Sequence, residues 1–98
     1  MALVRGSLDA LRPGVRFARV VANLDRVTLE LVLTDLAARV TPGGRLGVAG
    51  VLAGEEGGIV ALARDAGLEV VDQRVDPDPT ANGAWWSGWL KRAILIPS

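Results

Sequence analysis

The segment from Phe17 to Leu52 constrains this chain more than any other, because it spells a strand, a helix and a second strand in immediate succession. The apolar run Phe17-Ala18-Arg19-Val20-Val21-Ala22 closes at Asn23, and a helix-start signal follows at Asp25. A continuous run of this kind predicts a strand buried on both faces. Leu29, Leu33, Leu36 and Val40 then recur at helical spacing. Thr41-Pro42-Gly43-Gly44 ends that helix, since proline has no amide hydrogen and disfavours helical geometry in the residue before it. Leu46 to Val51 reads as a second buried strand, with Gly47, Ala49 and Gly50 small enough to let a helix or ligand approach the backbone. Asn23 therefore falls at the carboxyl end of a parallel strand, the place where open α/β sheets bind their ligands.

The flanking sequence extends the pattern. Ala2-Leu3-Val4 predicts a short strand broken by Gly6-Ser7, and Arg12-Pro13-Gly14 is a turn signal. A second helix is expected from Glu55 to Ala66, with Ile59, Leu62, Ala63 and Ala66 facing inward and Gly67 ending it. Leu68 to Val75 predicts another strand, Asp76 to Gly83 a loop, and Trp89 to Ile96 a last strand. Strands alternating with helices imply right-handed crossovers. The expected fold is α/β, a single domain over residues 1–98, with a mostly parallel sheet, an antiparallel C-terminal strand and helices packed on it.

Composition excludes several chemistries. With neither cysteine nor histidine, the chain offers no thiolate or imidazole metal site, no disulfide and no Ser-His-Asp or Cys-His machinery. Lys and Arg number 11 and Asp and Glu 11, with no basic run, which argues against direct nucleic-acid binding of the usual electrostatic kind. No run approaches the roughly 20 apolar residues of a membrane span, and Arg5 and Asp9 interrupt any secretory core. The expectation is a cytoplasmic protein with no metal and no membrane partner.

The wording of the segment carries a resemblance. Val20-Val21-Ala22-Asn23-Leu24, the helix, Leu36-Ala37-Ala38-Arg39-Val40-Thr41-Pro42-Gly43-Gly44-Arg45-Leu46 and Ala49-Gly50-Val51-Leu52 resemble the second half of class I S-adenosylmethionine-dependent methyltransferases. Within that class they look most like the bacterial family that methylates ribosomal protein L-eleven. Val4 to Leu11 and Ala66 to Val71 continue the resemblance, so it covers most of the chain. It implies a partial Rossmann-like sheet holding the family's third to seventh strands. It also implies S-adenosylmethionine as cofactor and a ribosomal protein, through lysine or terminal amines, as methyl acceptor. Asn23 aligns with the asparagine that positions the acceptor amine beside the methyl group, and the plainer reading is a helix cap. Ser7 and Leu8 align with a loop along the adenine edge, where a turn without a ligand is the alternative. Leu24 departs from the Asn-Pro-Pro-aromatic motif of related amide methyltransferases, which speaks against glutamine-amide or nucleobase-amine substrates.

The resemblance also defines what the 98 residues do not spell, namely the family's glycine-rich cofactor loop and the acidic residue that bonds the ribose. The glycines at 43, 44, 47 and 50 precede or lie within a strand, whereas a nucleotide loop follows a strand and opens a helix. The isolated chain is therefore expected to be inactive, either a fragment or a divergent member. Without the family's first two strands, Phe17–Ala22 is expected to have a bare edge that promotes self-association, and one sheet face to lack its covering helices. The rival to an enzyme is a non-catalytic interaction or dimerisation module. Trp85, Trp86 and Trp89 fit a core anchor with a rim residue, or a binding hot spot.

Overall fold

In a computed structural model, which describes residues 2–5, 15–78 and 83–93, both expected helices form on one side of one sheet. Strand β1 (Ala2–Arg5) leads to β2 (Phe17–Asn23), helix α1 (Arg26–Ala38), β3 (Val40–Leu52), helix α2 (Glu56–Asp65), β4 (Leu68–Asp78) and β5 (Gly83–Arg92). The five strands lie in the order β1-β2-β3-β5-β4. The β1–β2 and β2–β3 ladders are parallel, and the β3–β5 and β4–β5 ladders are antiparallel. The sheet is thus mixed, not mostly parallel. The cause is where β5 goes: running back between β3 and β4, it makes both of its ladders antiparallel, although β4 points the same way as β1 to β3.

Helix α1 begins at a side-chain cap. The carboxylate of Asp25 accepts from the Thr28 amide at 2.8 Å and from the Thr28 hydroxyl at 3.0 Å, satisfying one of the amides a helix start leaves open. The helix buries Leu29, Leu33, Leu36 and Ala37 but stops before Val40, which is the first residue of β3. The Pro-Gly-Gly run does not follow a longer helix; it forms a bulge in β3. Phe17 pairs with Val40 and Arg19 with Arg45, so the strand takes up three extra residues there. Gly43 at φ 76° makes that possible, and a side chain on Gly44 would sit 2.8 Å from the carbonyl oxygens of Ala18 and Thr41.

Only one face of β2 is buried. Val20 and Ala22 enter the core with Leu46, Val48, Val51, Leu68, Leu90 and the helices, while Arg19 and Asn23 on the other face are exposed. The run looked doubly buried because Val21 is apolar too, yet Val21 points to the face without helices. Trp86 is the largest core side chain, at 1% exposure, and its indole donates to Gln73 Oε1 at 3.0 Å.

The C-terminal hairpin is longer than its sequence suggests. Pro77 and Asp78 pair with Ala84 and Gly83, so strand geometry reaches into the expected loop, and β5 starts six residues before Trp89. Proline is tolerated because β4 is an edge strand, whose outward charges, Glu69, Asp72, Arg74 and Asp76, also discourage pairing with another chain. The opposite edge differs from expectation as well. Ala2–Arg5 pair with Val20–Asn23, so β2 is an interior strand there and its edge is not bare. Ile94 to Ile96, expected in the last strand, lie outside the described residues, as does the Arg12-Pro13-Gly14 turn. No described helix is long and apolar enough to cross a membrane.

Candidate functional site

The carboxyl ends of β2, β3 and β4 meet the N-termini of both helices at one end of the sheet, and Asn23 stands in their midst. It is exposed, lies in register between Arg5 of β1 and Ala49 of β3, and its side-chain amide has no hydrogen-bond partner among the described residues. The capping role belongs to Asp25, two residues on, so the Asn23 amide is not consumed by the helix. Gly50 explains how it fits. That residue adopts φ +92°, and a β-carbon there would stand 3.0 Å from Asn23 Oδ1 and 3.1 Å from the Leu24 carbonyl oxygen. The side chain of Asn23 therefore rests on bare backbone, a close approach that any larger residue at position 50 would prevent.

Beside Gly50 opens a hollow of about 380 Å³ lined by Asp25, Arg26, Val27, Leu52, Glu55 and Trp85. Its apolar walls are open to solvent, with Val27 57%, Leu52 43% and Trp85 41% exposed. Trp85 is steadied by donating from its indole nitrogen to Asp78 at 2.9 Å. Arg26 is held between Glu30 at 3.1 Å and Glu55 at 3.4 Å, and Glu30 foremost pushes its guanidinium above the ordinary value. The Thr28 amide above all, then its hydroxyl, hold the Asp25 carboxyl below its ordinary range.

Charge is segregated along the strands. At this end Asp25, Glu30, Glu55, Glu56, Asp76 and Asp78 outnumber Arg5, Arg26 and Arg74. At the other end Arg16, Arg19, Arg39, Arg45, Arg64, Lys91 and Arg92 outnumber Asp35, Asp65 and Glu69. A formal net charge of zero conceals an acidic rim around Asn23, suited to a cationic visitor.

Of the site residues singled out in the sequence, Asn23 takes its place at the strand end, while Ser7 and Leu8 lie outside the described residues. The sequence marks Trp85, Trp86 and Trp89 as core anchor, rim residue or hot spot without separating them, because it starts the last strand only at Trp89. The signal that could have separated them is alternation: Trp85, Ser87, Trp89 and Lys91 on one face, Trp86, Gly88 and Leu90 on the other. No group of acidic side chains able to hold a metal ion occurs among the described residues.

No family model matches the chain, and no curated protein matches it in sequence. Among solved structures it is similar to a ribosomal protein L11 methylase from Lactobacillus delbrueckii subsp. bulgaricus, with a TM-score of 0.68 and 15% identity, over 83% of this chain and 39% of that one. It is similar also to a proposed methyltransferase from Thermoplasma acidophilum, with a TM-score of 0.66 and 8% identity, over 84% of this chain and 41% of the other. The chain thus spans well under half the length of either protein. At such identities the likeness is one of fold, and the fold of this chain is that of part of a methyltransferase.

Proposed function

We propose that the chain is the part of an S-adenosylmethionine-dependent protein methyltransferase that presents the acceptor amine, with a lysine or terminal amine of a ribosomal protein as substrate. The observation that carries this reading is the free amide of Asn23, held on Gly50 at the strand carboxyl ends beside an apolar hollow with an acidic rim. The name of one structural neighbour, a ribosomal protein L11 methylase, supports the choice of substrate.

Methyl transfer to nitrogen needs a neutral amine whose lone pair lies in line with the bond that breaks, and it is promoted by orientation more than by acid–base groups. The side-chain carbonyl of Asn23 can accept a hydrogen bond from the amine N–H and so fix the direction of the lone pair. Val27, Leu52 and Trp85 offer apolar surface for the methylene stem of a lysine, and Asp25 and Glu55 attract its charged form to the rim. S-adenosylmethionine, when bound, supplies the electrophilic methyl group. The described residues fit one edge of such a cofactor, at Asn23, because no Gly-x-Gly-x-Gly loop joins a strand to a helix among them: the β2–α1 connection has no glycine and the β3–α2 connection has Gly54 alone. The remaining contacts fall to Ser7, Leu8 and a glycine-loop-bearing first half of the fold.

The test joins the chain to such a first half and measures methyl incorporation into the ribosomal protein. Asn23→Ala should lower turnover far more than cofactor affinity, since its contact is with the acceptor. Equal losses in both, or none in either, would reduce Asn23 to a structural residue.

A further inference from the structure

The sheet face opposite the helices carries a feature that the proposed reaction does not use. Register sets Arg19, Arg45 and Lys91 side by side across β2, β3 and β5. Like charges directly opposite one another destabilise a sheet. None of the three makes an ion pair among the described residues, even though Glu69 stands across from Lys91 in β4. The next position along β5 is Trp89 on the same face. Its indole lies on Gly47, with the Arg19 guanidinium 5.5 Å from the ring centroid. Trp89 borders a hollow of about 310 Å³, floored by Gly47 and Ala49 and flanked by Val21, Ser87 and Asp72.

We propose that this face binds a single-stranded nucleic acid, with one unstacked base against Trp89 and neighbouring phosphates on Arg19, Arg45 and Lys91. Aromatic surface beside a track of cations is what single-strand binding needs, and neither alone suffices. Three adjacent strands spread these cations over roughly 10 Å, wider than a single phosphate, so that more than one phosphate can be met. An incoming phosphate removes the like-charge repulsion that the free sheet carries. Asp72, the one acid on the hollow, is an acceptor for a base amine or a ribose hydroxyl. The neutral composition gives no hint of this site, because the cations are scattered in sequence and gathered only by register.

Fluorescence anisotropy of the full chain with a short fluorescein-labelled oligouridylate tests the proposal. Binding should weaken with salt at a logarithmic slope of about −2, from roughly −0.7 per neutralised phosphate. Arg45→Glu should lower affinity about tenfold or more and flatten that slope, whereas Trp89→Ala should lower affinity between about fivefold and 150-fold without changing it. Trp89→Phe keeps a ring and should retain most binding. Arg64→Glu, on helix α2 behind the sheet, should weaken binding far less than Arg45→Glu. Circular dichroism confirms that each variant folds. Three results would overturn the proposal: no binding at low ionic strength, equal weakening by Arg64→Glu and Arg45→Glu, or a dimer of the chain that buries Trp89 and excludes the oligonucleotide.

Discussion

Gly88→Ala should be among the most damaging single-methyl additions to this protein. Trp86 lies along its own strand over Gly88, so a β-carbon at position 88 would stand 2.6 Å from Cη2 and 2.7 Å from Cζ2 of the indole. The ring cannot retreat. It is 1% exposed, and its nitrogen is tied to Gln73, the residue across from Gly88 in β4. Overpacking a filled core costs about 1–3 kcal/mol, and displacing the ring would sacrifice a hydrogen bond of about 1 kcal/mol. The lower chain entropy of alanine returns about 0.5–1 kcal/mol. The net loss is about 1–3 kcal/mol, which for a domain of this size lowers the melting temperature by roughly 4–24 °C. Thermal unfolding followed by far-ultraviolet circular dichroism measures it, and Trp86→Phe in the same background identifies the cause. If the clash is responsible, the smaller ring should make the two substitutions less harmful together than their sum. A Gly88→Ala protein within about 0.5 kcal/mol of the parent, or strict additivity, would refute the reasoning.

Gly47→Ala provides the contrast: Trp89 Cζ3 would lie 2.8 Å from the new carbon, but this ring is on the open face and can swing outward, so the stability loss should stay below about 1 kcal/mol while tryptophan emission shifts to the red. Arg92→Ala should cost about 1.5–3 kcal/mol by urea unfolding, because the guanidinium donates to the carbonyls of Val40, at 3.0 Å, and Ala37, and so ties β5 to the end of α1. The Asp25 cap should show in the pH dependence. Its carboxyl is depressed below the ordinary value of about 3.8, so its stabilisation is complete above that value and lost as pH falls through the lower folded one. Asp25→Ala should therefore lower the melting temperature at neutral pH and reduce the acid sensitivity below pH 3.8; unchanged acid sensitivity would assign it to other groups.

Local signals in the sequence reached the helices well. Asp25 as cap, the Leu29-Leu33-Leu36 stripe, Ile59 and Ala63 facing inward and Gly67 past the second helix all have causes within a few residues, and the structure bears each out. The strands were harder because their limits depend on distant partners. Pro77 looks like a loop residue until Ala84 pairs with it, and Thr41-Pro42-Gly43-Gly44 looks like a terminator until Ala18 and Arg19 determine how the bulge closes. Burial followed the same rule. Val20 and Val21 are identical side chains, and only the presence of helices on one face separates a core residue from a surface one. Asn23 could be placed at a strand end from the sequence, but the bare backbone of Gly50 beneath it is a product of the β2–β3 register.

The same dependence on register explains how a neutral chain acquires two differently charged ends. Because β1 to β4 all point the same way and only β5 runs back between β3 and β4, the starts of those four strands and both helix ends fall on one side, and the ends of those four strands and both helix starts on the other. Acids favour helix starts, where Asp25 caps α1 and Glu56 occupies the first turn of α2, and bases favour helix ends, where Arg64 lies in the last turn of α2 and Arg92 donates to the Ala37 carbonyl in the last turn of α1. Local helix electrostatics repeated in register therefore adds up to a molecular dipole, with the acidic pole at Asn23. An amine-bearing substrate is drawn to that pole and a phosphate chain to the opposite one, so the two proposed sites do not compete for the same visitor.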